Sequence, residues 1–485
     1  MVNFRIISKI IGSLLFVEAF FMAWCLALSY CYHEDDSLAF LLSMALTAGS
    51  GFIFLFWGRN AANSLSRRDA YLVVTVTWVI FSLFGMFPFL IHGSITNLTD
   101  AYFETMSGFT TTGASIIDDV ERLPHGILFW RSLMQWIGGL GIVFFTIAIL
   151  PSLVDGSVKV FAAEATGPIK AKMHPRLTTN AKWIWSIYLL LTAGCGISFW
   201  LAGMEWFDAT NYSMTTTATG GFAIHNDGML YFHSATIDYI AILFQFLSGI
   251  NFTLLYLVMI KLRPSALFSN TEFKLYIAVV VGTTAWIMYM LFSQLDYSLE
   301  HAFRSALYQV VSFMTTTGMF SEDISHWPHI TWVLLGLVMY LGGCAGSTSG
   351  GFKCIRGAML LQLLRNNFRQ ILHPAAVLPV KVNGQSIAQS RLISLFAFFA
   401  LTVIMVVVTA AIMVLAGIDS INSVIIALSC VGNVGPSLSN EVGAALTWSA
   451  MPDFIKWVLC LLMLMGRLEI MTVLVLFTPG FWKDN

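Results

Sequence analysis

Apolar residues run along this chain in blocks, and a block of about 20 is long enough to cross the hydrocarbon core of a bilayer as a helix. Such blocks lie near 10–31, 38–58, 70–92, 127–150, 182–203, 235–262, 274–294, 330–350, 392–417 and 454–478, which predicts about ten spanning helices. The first follows Arg5 and Lys9, as a signal peptide would, but no small-residue cleavage pattern follows it, so a retained helix is expected. Between the blocks lie shorter stretches of mixed helical pattern at 100–109, 207–216, 299–314 and 420–431. These are too short to span and too apolar to be surface loops.

Each short stretch runs into a segment of similar layout: Phe109-Thr110-Thr111-Thr112-Gly113-Ala114, Thr216-Thr217-Ala218-Thr219-Gly220-Gly221, Met314-Thr315-Thr316-Thr317-Gly318-Met319 and Val431-Gly432-Asn433-Val434-Gly435-Pro436. Aligned on Gly113, Gly220, Gly318 and Gly435, the copies are 107, 98 and 117 residues apart, and Ser107, Ser312 and Ser429 stand six positions before their glycines. A fixed period of this kind marks an internal repeat. The repeating unit reads as helix, short re-entrant helix, extended loop, helix. All four loops follow an outward-going helix, so they enter the membrane from one side. The expected fold is an all-α membrane protein with four pseudo-fourfold helix/pore-loop/helix repeats around one pore, plus two extra N-terminal transmembrane helices. The boundaries read as 1–66 for the helix pair, then 67–158, 159–265, 266–375 and 376–485 for the repeats.

Irregular backbone at membrane depth is tolerated only where it lines a polar cavity or is buried in protein. Extended Thr-Thr-Gly backbone can present carbonyl oxygens to a cation in place of its water shell, and glycine admits backbone angles that a Cβ disfavours. The expected ion contacts are Thr111, Thr112, Gly113, Ala218, Thr219, Gly220, Thr316, Thr317, Gly318, Asn433, Val434 and Gly435. The fourth segment departs from the others, with Asn433 and Val434 where two copies carry threonine.

Composition supports lipid as the solvent: 57% of the 485 residues are hydrophobic and 11% charged, against about a quarter charged in soluble domains. The net charge of -1 leaves no basic excess for nucleic acid. With the N-terminus inside, the short loops collect Arg59, Arg67, Arg68, Lys159, Lys170, Lys172, Arg176, Lys261, Arg263, Arg356, Arg365, Arg369 and Lys483 on one side, the cytoplasm by the positive-inside rule. The C-terminus falls on that side too. The opposite loops hold acids, among them Asp118, Asp119, Glu121, Asp227, Glu322, Asp323 and Glu441, and would draw cations. Seven scattered cysteines without metal-ligand spacing predict neither a disulfide framework nor a zinc site.

Below the third loop, Gly342-Gly343-Cys344-Ala345-Gly346-Ser347-Thr348-Ser349-Gly350-Gly351 should break its helix, since each interior glycine costs about 1 kcal/mol relative to alanine. Its spacing to Lys353 is wrong for a phosphate-binding loop. A flexible loop is expected over Gly343, Gly346, Ser347, Thr348, Ser349 and Gly350, or else a helix end at the cytoplasmic interface, since Lys353 and Arg356 follow closely. Arg467 lies within the last apolar block. A charge placed there costs at least about 2.5 kcal/mol and usually faces an interior cavity or partner, where it would repel a permeating cation. Glu18, in the first block, is expected to serve packing through a paired contact.

At these residues the chain resembles the TrkH proteins of the Trk/Ktr/HKT superfamily of potassium transporters. The likeness extends from about 70 to 478 and to the N-terminal helix pair. In that superfamily the loop glycine of every repeat accompanies potassium selectivity, and a serine in the first repeat accompanies sodium transport. The resemblance implies potassium as substrate, contacting Thr111, Thr112, Thr219, Gly220, Thr316, Thr317, Val434 and Gly435. It also implies an intramembrane gate with Arg467 facing the pore, a homodimer in the bacterial inner membrane, and a cytosolic TrkA-type regulatory subunit that binds NAD, ATP or ADP. No cofactor is expected in the chain itself. Repeats of one orientation favour a channel-like path. The alternative is a secondary transporter, a symporter coupling potassium to protons or sodium, a class that commonly uses inverted repeats. An enzyme is not expected, since no nucleophile-base set or nucleotide motif occurs.

Overall fold

The computed structural model describes residues 2–61, 65–141, 177–436 and 447–483. Lys159, Lys170, Lys172, Arg176 and Glu441, the far end of the 127–150 block and the boundary between the first two repeats lie outside them.

Six described helices are long and apolar enough to cross a membrane, and two sharply bent pairs raise the number to eight. The chain is a multi-pass helical membrane protein. An N-terminal hairpin, Phe4–Tyr32 and Ser37–Gly58, is followed by outer helices at Arg67–Gly85, Leu177–Leu201, Thr271–Gln294 and Gln389–Leu415. Each outer helix leads into a short one, at Leu98–Phe109, Trp206–Thr217, Leu299–Met314 and Ser420–Gly432. Inner helices start at His125, Ala235, His329 and Asp453. The short helices thus fall where the mixed-polarity stretches placed them.

Burial separates these classes. Thr271–Gln294 buries Phe273, Tyr276, Val280, Thr284, Ile287 and Leu291, spaced three and four apart, and leaves Val281, Trp286, Tyr289 and Phe292 exposed. That is one packed stripe, with the rest of the helix turned to lipid. The first short helix is enclosed instead: every residue from Ala101 to Phe109 is buried.

The predicted spans differ in three places. The block at 235–262 is two helices, Ala235–Ser248 and Phe252–Met259, meeting at 107°. Asn251 starts the second by accepting from Thr253 N at 2.8 Å, an N-cap inside what reads as one apolar run. The block at 454–478 bends by 114° at Glu469, which takes a left-handed φ of 66°. The block at 330–350 is helical only to Leu341 and then unwinds. Glu18 is fully buried, but instead of the paired contact expected of it, its carboxyl has no hydrogen-bond partner among the described residues. A two-residue hairpin, Lys381–Val382 with Gln385–Ser386, precedes the last outer helix and was not anticipated.

Candidate functional site

The four short helices end in the same way. Thr111, Thr219, Thr316 and Asn433 each take a left-handed φ between 52° and 57°. Their N–H groups donate three residues back, to Gly108, Thr216, Phe313 and Cys430. The next N–H groups, of Thr112, Gly220, Thr317 and Val434, donate five back to Ser107, Thr215, Ser312 and Ser429, at 2.8 to 3.0 Å. This pair of bonds is the Schellman C-cap. Its left-handed residue is usually glycine, with asparagine the next choice, so Asn433 suits its position while the threonines are held there by their surroundings.

The next residue in each segment is a glycine of positive φ: Gly113 at 80°, Gly221 at 84°, Gly318 at 71° and Gly435 at 90°. The equivalent glycine of the second segment is therefore Gly221, one residue beyond the Gly220 on which the sequence alignment rests. The shift has a physical cause. Thr215, six before Gly221, makes the backbone cap contact that Ser107, Ser312 and Ser429 make elsewhere. The corresponding triplet is Thr219-Gly220-Gly221, and Ala218 belongs to the end of its helix.

These glycines form a closed cycle. A Cβ added to Gly113 would lie 2.1 Å from Gly220 O, and one on Gly221, Gly318 or Gly435 would lie 2.1 Å from the carbonyl oxygen of Thr317, Val434 or Thr112 respectively. Each segment thus meets the next by backbone alone, and the fourth returns to the first. Side chains brace the cycle from behind. Gln135 Nε2 donates to Gly220 O at 2.7 Å while its Oε1 accepts from Phe222 N at 3.0 Å. Asn433 Nδ2 donates to Thr112 Oγ1 at 3.0 Å and to Met463 O at 2.9 Å.

Above the ring opens a cleft lined by Gly113, Gly221, Gly318 and Pro436, with Asp118, Asp227, Glu322 and Asp323 along its walls. Nearby, a hydrogen bond from Asn226 holds Asp119 below the usual carboxylate range, and the backbone N–H of Ser325 does the same for Asp323. Both remain negative further into acid than a free carboxylate. The segments leaving the ring are tied by a buried ion pair that the sequence reading passed over. Arg131 Nε meets Glu104 Oε1 at 2.9 Å, and Arg131 also donates to Ala223 O and Ser115 Oγ. Two charges inside apolar helices, at 104 and 131, were the available signal.

Below the ring the glycine-rich loop runs back into the protein. Thr348 Oγ1 donates to Thr217 O at 3.1 Å and Ser248 O at 3.2 Å, the ends of the second short and inner helices. Gly350 N donates to Thr316 Oγ1 at 2.6 Å, Gly351 N to Gly432 O at 2.9 Å and Cys344 N to Gly249 O at 2.9 Å. Ser349 Oγ accepts from Gly343 N at 3.0 Å, Ser347 Oγ donates to Cys344 O at 2.6 Å, and Gly346 O accepts from Phe252 N at 2.9 Å. Arg467 closes the remaining side: Nη1 donates to Thr348 O at 2.9 Å, and Nη2 to Gly138 O and Gly139 O at 2.6 Å each. The loop and the arginine predicted from sequence are thus in contact.

Further anchors went unread in the sequence. Glu272 Oε1, buried in the first turn of its helix, accepts from Ala345 N at 2.6 Å and Ile355 N at 3.1 Å, one residue near each end of the loop. Arg356 pairs with Glu469 at 2.6 Å, joining the helix after the loop to the bend of the last inner helix. Lys353 donates to Ser349 O. Only folding brings these partners together, since 272 and 345, or 356 and 469, are remote in the chain.

Residues 39–483 match the TrkH family model, described as a cation transport protein. The chain is 34% identical over 483 residues to the Trk system potassium uptake protein TrkH of Halomonas elongata, covering 99% of this chain and 100% of that one. It is 34% identical over 489 residues to the Escherichia coli K12 protein of the same name, at the same coverage. Its structure aligns with the crystal structure of the potassium transporter TrkH from Vibrio parahaemolyticus at a TM-score of 0.89 and 35% identity, covering 99% and 100% of the two chains.

Proposed function

Because the chain belongs to the TrkH family of cation transport proteins, we propose that it takes up potassium through a channel-like path whose selectivity filter is the four-glycine ring. Proteins of this family are transporters, not enzymes. The observation that carries the reading is the closed cycle in which each ring glycine lies against the next segment's carbonyl, 2.1 Å from where a Cβ would stand; it supports four carbonyl-bearing segments around a common centre. Carbonyls there replace the water shell of a monovalent cation, and the acids above concentrate cations at the entrance. Under the corrected register the contacts are Thr111, Thr112, Gly113, Thr219, Gly220, Gly221, Thr316, Thr317, Gly318, Asn433, Val434 and Gly435.

The glycine loop and Arg467 are the closed gate beneath the filter. The guanidinium places a fixed positive charge next to the path, and the loop fills the space between inner-helix ends. A Trk system membrane component works with other Trk components. In this reading they are a second copy of the chain and a cytosolic nucleotide-binding subunit that acts on the basic cytoplasmic face, with the termini on that side.

The test is purified protein in liposomes, with rubidium and sodium uptake measured side by side. The wild type should prefer rubidium. Gly113→Ser should lower that preference, since its Cβ meets Gly220 O. An expressed variant with unaltered preference would sink the filter assignment. Current reversal at several proton and sodium gradients separates conduction from the coupled alternative.

A further inference from the structure

The guanidinium of Arg467 is bound the way a small cation is bound. Three backbone carbonyls converge on it, those of Thr348, Gly138 and Gly139, at 2.6 to 2.9 Å. Gly138 and Gly139 end the helix His125–Gly139, whose C-terminal carbonyls carry partial negative charge, and Gly138 O also accepts from Gly141 N at 2.9 Å.

All three carbonyls are held in place without the arginine. A Cβ on Gly138 would fall 1.8 Å from Phe109 O, and one on Gly139 would fall 2.6 Å from Tyr188 Oη and 3.0 Å from Ala218. That helix end is therefore wedged against two short helices and the Tyr188 side chain. Thr348 is fixed by its hydroxyl bonds to Thr217 O and Ser248 O. The corresponding carbonyls of the second inner helix, Ser248 and Gly249, are capped by Thr348 Oγ1 and Cys344 N. At the first inner helix the capping group is instead a cation on a side chain, and it hangs from a helix that bends two residues later, at Glu469.

We propose that the carbonyls of Thr348, Gly138 and Gly139 form an inner subsite for a dehydrated monovalent cation, which Arg467 occupies as a tethered competitor in the closed protein. When the last inner helix shifts at its bend, the guanidinium withdraws and the permeating ion takes its place. Opening is then an exchange of one cation for another on the same oxygens, and the carbonyls keep a partner in both states. This inference rests on the potassium-conduction reading above and adds a site to it.

The experiment is anomalous diffraction from the full-length protein crystallised in rubidium chloride, wild type beside Arg467→Ala, with Arg467→Ser as the second variant should alanine fold poorly. Rubidium is expected at the glycine ring in every protein, and one further peak among the three carbonyls only where the arginine is gone. A ring that binds rubidium while the carbonyl triad stays empty in the variants overturns the inner subsite and leaves the filter reading standing. A triad peak in the wild type overturns the competition. A ring without rubidium in any of the proteins overturns the conduction reading and the subsite together.

Discussion

Two glycine-rich regions lie one above the other in this protein, and they differ in how far side chains hold them. In the ring, the missing Cβ lets backbone touch backbone: at Gly113, Gly221, Gly318 and Gly435 a neighbouring carbonyl stands 2.1 Å from where that atom would be. No side chain could move aside to relieve the crowding. In the loop from Gly342 to Gly351, the backbone has no regular structure. Backbone bonds at Cys344, Gly346 and Gly351 tie it to its neighbours, and side chains add the rest: Thr348 on two helix ends, Glu272 on the Ala345 amide and on that of Ile355 just past the loop, Arg467 on the Thr348 carbonyl. Backbone contacts give a part with one shape. Side-chain hydrogen bonds, each contributing about 1 kcal/mol net, give a part that can change partners. On the proposed reading, selection suits the first and gating the second.

The sharpest way to break the ring side of this contrast is Gly221→Ala. The methyl would meet Thr317 O at a φ of 84°. Overpacking and the left-handed backbone together cost about 2–5 kcal/mol, so rubidium uptake should drop at least about tenfold, ~1.4 kcal/mol being a factor of ten. Gly220→Ala differs in kind, because its Cβ meets the Gln135 side chain at 2.4 Å. Adding Gln135→Ser should restore much of the uptake lost in Gly220→Ala and none of that lost in Gly221→Ala. Equal rescue of both, measured as initial rubidium uptake at matched expression, would return the register to Gly220.

That register marks where the sequence stops being legible. The short helices and segments could be read because their residue types recur, but in Thr219-Gly220-Gly221 two adjacent glycines leave the alignment open by one. The backbone cap from Thr215 decides it, and a threonine standing where the other copies have serine gave no warning. The breaks at 249–251 and 469 were hidden for a related reason. Asn251 as a cap and Glu469 at φ 66° act through local geometry inside runs whose average is strongly apolar. Arg467 and the glycine loop were legible separately, being improbable at membrane depth. Glu272 looked ordinary, an acid in the first turn of a helix, and only the fold shows that it holds a loop more than seventy residues away.

Glu272 gives the next largest effect, on the loop side. Glu272→Ala leaves two buried amides, of Ala345 and Ile355, without their acceptor, at about 1–3 kcal/mol each. Since one amide lies in the loop and the other just past its end, the cost falls on the loop's seated position, and basal rubidium leak through the closed protein should rise roughly tenfold. Glu272→Gln keeps an Oε1 acceptor and should recover most of the seal. Leak through Glu272→Ala that equals the wild type, in protein of unchanged thermal stability, would show that the loop is held as rigidly as the ring, and the contrast would fail.

The smallest change asks whether single hydrogen bonds grade the seal. Thr348→Val keeps the branched shape and replaces the hydroxyl that donates to Thr217 O and Ser248 O with a methyl. Both acceptors end helices, where carbonyls are short of partners. A bond of about 1 kcal/mol predicts a leak about fivefold above wild type, with rubidium over sodium preference unchanged because the ring is not touched. The two readouts must separate: if the preference moves with the leak, loop and ring are one mechanical unit, and selection cannot be assigned to backbone contact and gating to side chains.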